Sequence, residues 1–184
     1  QNLLSIPKFA ALNIHFSLLP KYRGASPVAT AILNGEKETG VSIMDVAKEL
    51  DSGDIYKSQN YIIHPDETTC EVEEKLVHIG TELLIEVLLH FKQYQVNKTK
   101  QDTAHVTKAN LINKCDGLIN WEEDADLIYR KIKAYNPWPG SFTYYNEKLV
   151  KILNVEFIEK TFEEYPPGTI IGIVPKFGFI INCG

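Results

Sequence analysis

The sequence contains no long apolar run, and this absence narrows the possible classes of protein. No stretch of about 18 or more uncharged apolar residues occurs, so a membrane-spanning helix is not predicted. The start of the chain also lacks a basic segment followed by an apolar one, so no signal peptide is predicted. These features indicate a protein of the bacterial cytoplasm or of an organelle matrix.

Cysteine is also scarce. The chain has 3 cysteines, Cys70, Cys115 and Cys183, and this odd, widely spaced set fits neither a disulfide framework nor a zinc motif. The histidines do not stand at paired spacings with other metal-binding side chains. We therefore expect reduced thiols and no metal.

The sequence also has no excess of positive charge. The net charge is -5, which argues against a protein that wraps nucleic acid by charge alone. The first 92 residues hold 8 Lys and Arg against 13 Asp and Glu, whereas the remainder holds 11 of each. A local basic face is therefore possible only in the second half.

Periodicity divides the 184 residues into two segments of different character. The first segment predicts strands at 11–16, 39–46 and 55–63, with helices at 27–33 and 68–91. A polar linker follows at 93–116. The second segment predicts a helix at 122–135 and strands at 141–145, 149–157, 169–174 and 179–182, a pattern typical of a small β-barrel.

Two short motifs could carry chemistry. Asn13 and His15 stand two apart in a predicted strand, so their side chains project from the same face. An amide can donate a hydrogen bond to an oxyanion, and an imidazole can exchange protons near neutral pH. Asp51, in a loop between two strands, could orient the imidazole. Each motif alone also fits an ordinary structural role, because Asn-x-His pairs are common and Asp-Ser-Gly-Asp resembles any surface turn.

The order and spacing of these motifs resemble the folate-dependent formyltransferases. In that family an Asn-x-His strand is followed by Ser-Leu-Leu-Pro-x-x-x-Gly and then by an Asp-x-Gly loop. The residues that match are Asn13, His15, Ser17, Leu18, Leu19, Pro20, Gly24, Asp51 and Gly53. The resemblance implies an α/β fold in which residues 1–92 are the C-terminal half of a Rossmann-like formyltransferase domain. Residues 117–184 would then form an incomplete part of a small OB-like β-barrel domain.

The resemblance also implies a reaction, in which a primary amine attacks the formyl carbon of 10-formyltetrahydrofolate. Asn13 would hold the formyl oxygen, His15 would transfer protons, and Asp51 would be the partner of His15. Ser17, Leu18, Leu19, Pro20, Gly24, Leu50 and Gly53 would form the loops around folate and substrate. Because the family supplies further strands from an earlier segment, we expect little transfer by these 184 residues alone.

The second half is similar to the C-terminal barrel of those members that formylate initiator methionyl-tRNA. The possible tRNA contacts are Arg23, Arg130, Lys131, Lys133, Lys148 and Lys151. Solvated surface charge is the alternative interpretation for each of them. Two other functions stay open, an amino-sugar N-formyltransferase and a non-catalytic tRNA-binding module. A monomer is expected.

Overall fold

A computed structural model describes residues 4, 6–158, 160, 164–176 and 178–184. Two compact units divide the chain, Gln1–Ile112 and Asn113–Gly184, and the boundary falls within the predicted linker. Among the described residues, no helix is long and apolar enough to cross a membrane. Cys70, Cys115 and Cys183 are free thiols in this structure.

A three-stranded antiparallel sheet and one long helix form the first unit. Its elements are β1 (Leu12–His15), β2 (Arg23–Gly24), α1 (Pro27–Leu33), β3 (Glu38–Asp45), β4 (Ile55–Ile62), α2 (Thr69–Leu89), α3 (Phe91–Asn97) and β5 (Lys108–Ala109). The sheet order is β1-β3-β4, and β2 pairs with β5 in parallel. The five helices and strands predicted for residues 11–91 are confirmed to within two residues at each end.

The long helix α2 owes its position to a single apolar face. Val72, Leu76, Leu83 and Val87 recur at helical spacing and are almost fully buried. Burial of such side chains stabilises the fold by about 1.5–3 kcal/mol each. Thr68 begins the helix as the predicted capping box, in which its backbone N–H donates to the carboxylate of the residue three positions later at 2.8 Å.

A buried carboxylate ties the end of β4 to α2. Glu67 accepts hydrogen bonds from the Tyr61 hydroxyl at 2.6 Å and from the His64 backbone N–H at 2.8 Å, and Lys75 forms an ion pair with it. Burial by itself raises the pKa of Glu67, but these hydrogen bonds lower it overall. The ionised carboxylate is therefore part of the folded structure.

The predicted linker is ordered along much of its length. Helix α3 covers residues 91–97, and the ring of Phe91 stacks on Tyr56 with centroids 5.9 Å apart. Residues 98–101 run beside the loop that joins β3 to β4, and β5 follows. Helix α3 was not predicted, because none of its residues is fully buried and no side chain caps its start.

In the described part of the second unit there are one α-helix, a short 3-10 helix at Lys114–Gly117 and two hairpins. Its elements are α4 (Ala125–Ala134), β6 (Ser141–Tyr145), β7 (Lys148–Ile152), β8 (Ile170–Val174) and β9 (Gly178–Ile181). Ile119, Ile128 and Ile132 form its core. The helix starts later than predicted because the Asp124 carboxylate accepts from a backbone N–H and caps it. Strand β7 ends at residue 152 instead of 157.

No closed barrel is found among the described residues of this unit, so the OB-like form of the predicted, incomplete barrel stays a prediction. Among the described strands, β6 pairs with β7 and β8 pairs with β9, which gives two separate two-stranded sheets, and β6 has one further isolated bridge, from Phe142 to Leu118. A barrel requires hydrogen bonding from each strand to two neighbours. All four strands were predicted, with β7 five residues too long at its end, but alternation within single strands cannot determine whether a barrel closes.

Candidate active site

His15 lies at the end of β1, and its imidazole is buried. The Nε2–H donates to the backbone carbonyl of Tyr22 at 2.9 Å. Because a carbonyl oxygen can only accept, this contact assigns the hydrogen to Nε2. Nδ1 is thus the ring nitrogen left to gain or lose a proton, and it faces Asp51.

Asp51 approaches His15 from the loop between β3 and β4. Its Oδ2 lies 3.7 Å from His15 Nδ1, and the two side chains are only 12% and 6% exposed. The same Oδ2 accepts a hydrogen bond from the Gly24 N–H at 2.9 Å. The separation exceeds a hydrogen bond, but an imidazolium at this position would be attracted strongly by a carboxylate that is shielded from water.

Asn13 lies on β1 opposite Met44, two residues before His15. Strand geometry places the two side chains on the same face. The Asn13 amide is half-buried, and it forms no hydrogen bond to the residues that the structure describes. An amide donor, a titratable imidazole and a carboxylate are therefore brought to one end of the sheet.

Hydrogen bonds within the loop and to β3 stabilise the loop after His15. Ser17 is fully buried and donates from Oγ to the Lys21 carbonyl at 2.6 Å. Leu19 is buried, and its N–H donates to Ser42 Oγ at 3.2 Å. Leu18 and Pro20 are half-buried. These contacts fix the turn that delivers the Tyr22 carbonyl to His15.

Two of the predicted site residues are glycines for steric reasons. Gly24 has φ = 130°, and a Cβ added there would lie 2.2 Å from the Ala109 carbonyl oxygen. A Cβ on Gly53 would lie 1.9 Å from the Asp45 carbonyl oxygen. Both glycines allow close backbone contacts on either side of Asp51, which itself has φ = 48°. Leu50, in contrast, is 71% exposed.

Gln101 was missed by the sequence analysis. Its Nε2 donates to the backbone carbonyls of Asp51 and Gly53, each at 2.8 Å. Its Oε1 accepts from Arg23 Nε at 3.0 Å and from Nη2 at 2.7 Å. A polar residue in a polar segment gives no periodic signal, so only the folded chain could reveal this contact.

An open cavity of about 480 Å³ lies beside the link between Gly24 and Asp51. Its lining combines two cationic side chains, Arg23 and Lys108, with the apolar Leu50 and Leu111. The volume falls within the range of small-molecule sites, roughly 300–1,000 Å³. Within the described residues, no three potential metal-binding side chains converge.

The predicted tRNA contacts do not share one environment. Arg23 is bound to Gln101. On α4, Arg130 and Lys131 form ion pairs with acidic neighbours, and Lys133 lies over a tyrosine ring. Lys148 and Lys151 are exposed on β7, but they stand three apart and therefore point to opposite faces of the hairpin.

Comparison with known proteins identifies the class. The family described as formyl transferase matches residues 1–88, and its C-terminal domain matches residues 111–184. The chain belongs to the formyl transferase family.

Curated relatives within that family are named methionyl-tRNA formyltransferase. The chain is 38% identical over its whole length to the protein of Caldanaerobacter subterraneus and covers 59% of it. It is 41% identical to that of Dictyoglomus turgidum, with 93% of this chain and 55% of the relative covered. The chain therefore spans a little over half the length of these relatives.

Solved structures share the fold. HypX from Aquifex aeolicus, in complex with tetrahydrofolic acid, gives a TM-score of 0.71 at 21% identity and covers 90% of this chain and 29% of that one. An N-formyltransferase from Helicobacter canadensis, in complex with folinic acid and dTDP-3-aminofucose, gives 0.65 at 26% identity. It covers 84% of this chain and 60% of the other.

Proposed function

We propose that the protein to which this chain belongs transfers the formyl group of 10-formyltetrahydrofolate to the amino group of initiator methionyl-tRNA, in translation initiation. The observation that carries the proposal is the placement of His15 Nδ1 3.7 Å from a shielded Asp51 carboxylate, with Asn13 on the same face of the strand. The names of the curated relatives support the acceptor.

Each member of the trio has a defined task in this proposal. The amine lone pair forms a bond to the formyl carbon, and the carbonyl electrons move onto oxygen. The free amide of Asn13 donates to that oxygen. His15 Nδ1 takes a proton from the attacking nitrogen, and Asp51 stabilises the resulting imidazolium. The bond from carbon to N10 of the folate then breaks, N10 leaves with the electron pair and takes the proton held by His15, and the carbonyl re-forms.

The remaining architecture follows from the same assignment. Residues 1–92 would be part of a Rossmann-like catalytic domain, residues 93–116 would join the domains, and the strands within 117–184 would belong to an OB-like barrel that contacts tRNA. The exposed Lys148 and Lys151 are the best placed of the predicted phosphate contacts. The relatives are bacterial, which supports action in a bacterial cytoplasm. A monomer is part of the same proposal.

The competing acceptor is an amino sugar, because the Helicobacter canadensis structure with similar fold holds dTDP-3-aminofucose. The two functions differ in one assay. Formyl transfer is measured to charged initiator tRNA and to a dTDP-amino sugar, with the chain alone and with the chain extended by the remainder of its Caldanaerobacter relative. Activity on tRNA supports the proposal, activity on the sugar alone overturns it, and tRNA binding without either activity indicates a non-catalytic module.

The catalytic trio is tested in the same assay. His15→Ala should lower kcat by on the order of 10²–10⁴-fold, because it removes the proton-transfer group. His78→Ala is the matched control, since His78 is exposed on α2 and lies outside the proposed site. Equal activity of the two variants would contradict the assignment of His15.

A further inference from the structure

The loop that carries Asp51 has few means of fixing its own shape. Between β3 and β4, most side chains before Asp51 are exposed, including Leu50 at 71%. Asp51 itself has φ = 48°, a left-handed conformation that is unfavourable for most residues with a side chain. Contacts from outside the loop must therefore hold Asp51 opposite His15.

Residues 98–101, which we name the brace, provide these contacts. At its start, Lys98 Nζ lies 2.5 Å from Asp45 Oδ2 and 3.5 Å from Asp54 Oδ2, so it joins both ends of the loop. Next, Thr99 and Ile55 exchange two backbone hydrogen bonds of 2.8 Å. Gln101 ends the brace. The brace thus follows the loop from its two stems to Asp51.

The carboxamide of Gln101 is matched to this position. Two backbone carbonyls, which can only accept, face its nitrogen, and the guanidinium of Arg23, which can only donate, faces its oxygen. One side chain therefore uses its donors on the Asp51 loop and its acceptor on β2. The N–H of Gly24, the residue after Arg23, donates in turn to the Asp51 carboxylate.

We propose that Gln101 is a positioning residue that holds the Asp51 carboxylate in register with His15. The Asp51 carbonyl accepts a hydrogen bond from Gln101 in the brace, and the Asp51 carboxylate accepts one from the Gly24 N–H in β2. Gln101 also connects the brace to β2 through Arg23. Its relevance to formyl transfer rests on the proposed function, but the positioning can be measured without any activity.

The Gly24 amide reports the position of Asp51 directly. Its N–H is bonded to the Asp51 carboxylate, whereas the N–H groups of its neighbours Arg23 and Ala25 are bonded to backbone carbonyls of Thr107 and Ala109 at 2.9 Å. Hydrogen exchange of the three consecutive amides, measured by NMR on this chain, therefore separates movement of Asp51 from opening of the β2–β5 pair.

Two substitutions separate the donor role of Gln101 from its acceptor role. Gln101→Glu keeps an acceptor for Arg23 but directs a carboxylate at two backbone carbonyls, which repel it. The Gly24 amide should therefore exchange about tenfold faster or more, whereas exchange of the Arg23 and Ala25 amides should change less than about twofold. Gln101→Lys keeps a donor for the carbonyls and loses the acceptor, so protection at Gly24 should fall less. Gln93→Glu, on the exposed side of α3, is the matched control.

The outcomes are distinct. Unchanged Gly24 exchange in Gln101→Glu, or equal effects of both substitutions, overturns the proposal. If Gln101→Glu instead unfolds the unit, all three amides lose protection. In that case Gln101→Lys decides, and a smaller loss of protection at Gly24 in this variant supports the proposal. In the transfer assay the glutamate variant should lower kcat about tenfold with little change in KM. A wild-type protein that transfers no formyl group refutes the proposed function alone and leaves the exchange result standing.

Discussion

Replacing Gly24 with alanine probes the closest backbone contact beside the candidate site. The backbone at Gly24 has φ = 130°, a region that costs a residue with a side chain about 1–3 kcal/mol. The added Cβ would also meet the Ala109 carbonyl oxygen at 2.2 Å, which forces β2 away from β5. Two backbone hydrogen bonds join these strands, each with a net value of about 1 kcal/mol. We therefore expect Gly24→Ala to lower the free energy of unfolding by about 3 kcal/mol.

The measurement is urea unfolding followed by far-ultraviolet circular dichroism. Both tryptophans, Trp121 and Trp138, lie in the second unit, so their fluorescence should not report this loss. Gly35→Ala is the control, because Gly35 also has a positive φ of 70° but is exposed after α1. It should cost about 1 kcal/mol. Equal losses in the two variants would refute the argument that the contact with β5 is tight.

Two further predictions concern the start of α2. Thr68→Ala removes the capping side chain and should destabilise the first unit by about 1 kcal/mol in urea unfolding, whereas the same change at exposed Thr81 should cost less than about 0.5 kcal/mol. The pKa of Glu67 is lowered in the folded state. Its ionised carboxylate therefore stabilises the fold above the unfolded pKa of about 4.3, and this stabilisation is lost as the pH falls through the folded pKa. Glu67→Gln should therefore weaken the dependence of unfolding free energy on pH below about 4.5. An equal change in the exposed Glu82→Gln control would contradict this assignment.

Local patterns predicted the elements of the first unit because their causes are local. The apolar spacing from Val72 to Val87 defines one face of a helix, and Thr68 with Glu71 marks its start. The alternating and apolar runs around Asn13 and Val41 likewise correspond to β1 and β3. The spacing of Asn13, His15 and Asp51 indicated a possible site by resemblance, although their catalytic roles stay a prediction.

Long-range contacts had no comparable signal. Helix α3 lacks a buried stripe, and the barrel predicted for the second unit depended on pairings that alternation within single strands cannot specify. Lys131 was a predicted tRNA contact, yet it pairs with Glu123, which lies eight positions earlier and outside α4.

The sequence by itself determined which residues could perform the chemistry, because residue type and strand periodicity are properties of the chain. The tertiary structure decided how those residues are held. The Tyr22 carbonyl assigns the hydrogen of His15 to Nε2, and Gln101 reaches Asp51 across 50 positions of the chain. Such contacts depend on how distant backbone segments are brought together in space, and that information is not carried by the local pattern around any one of these residues.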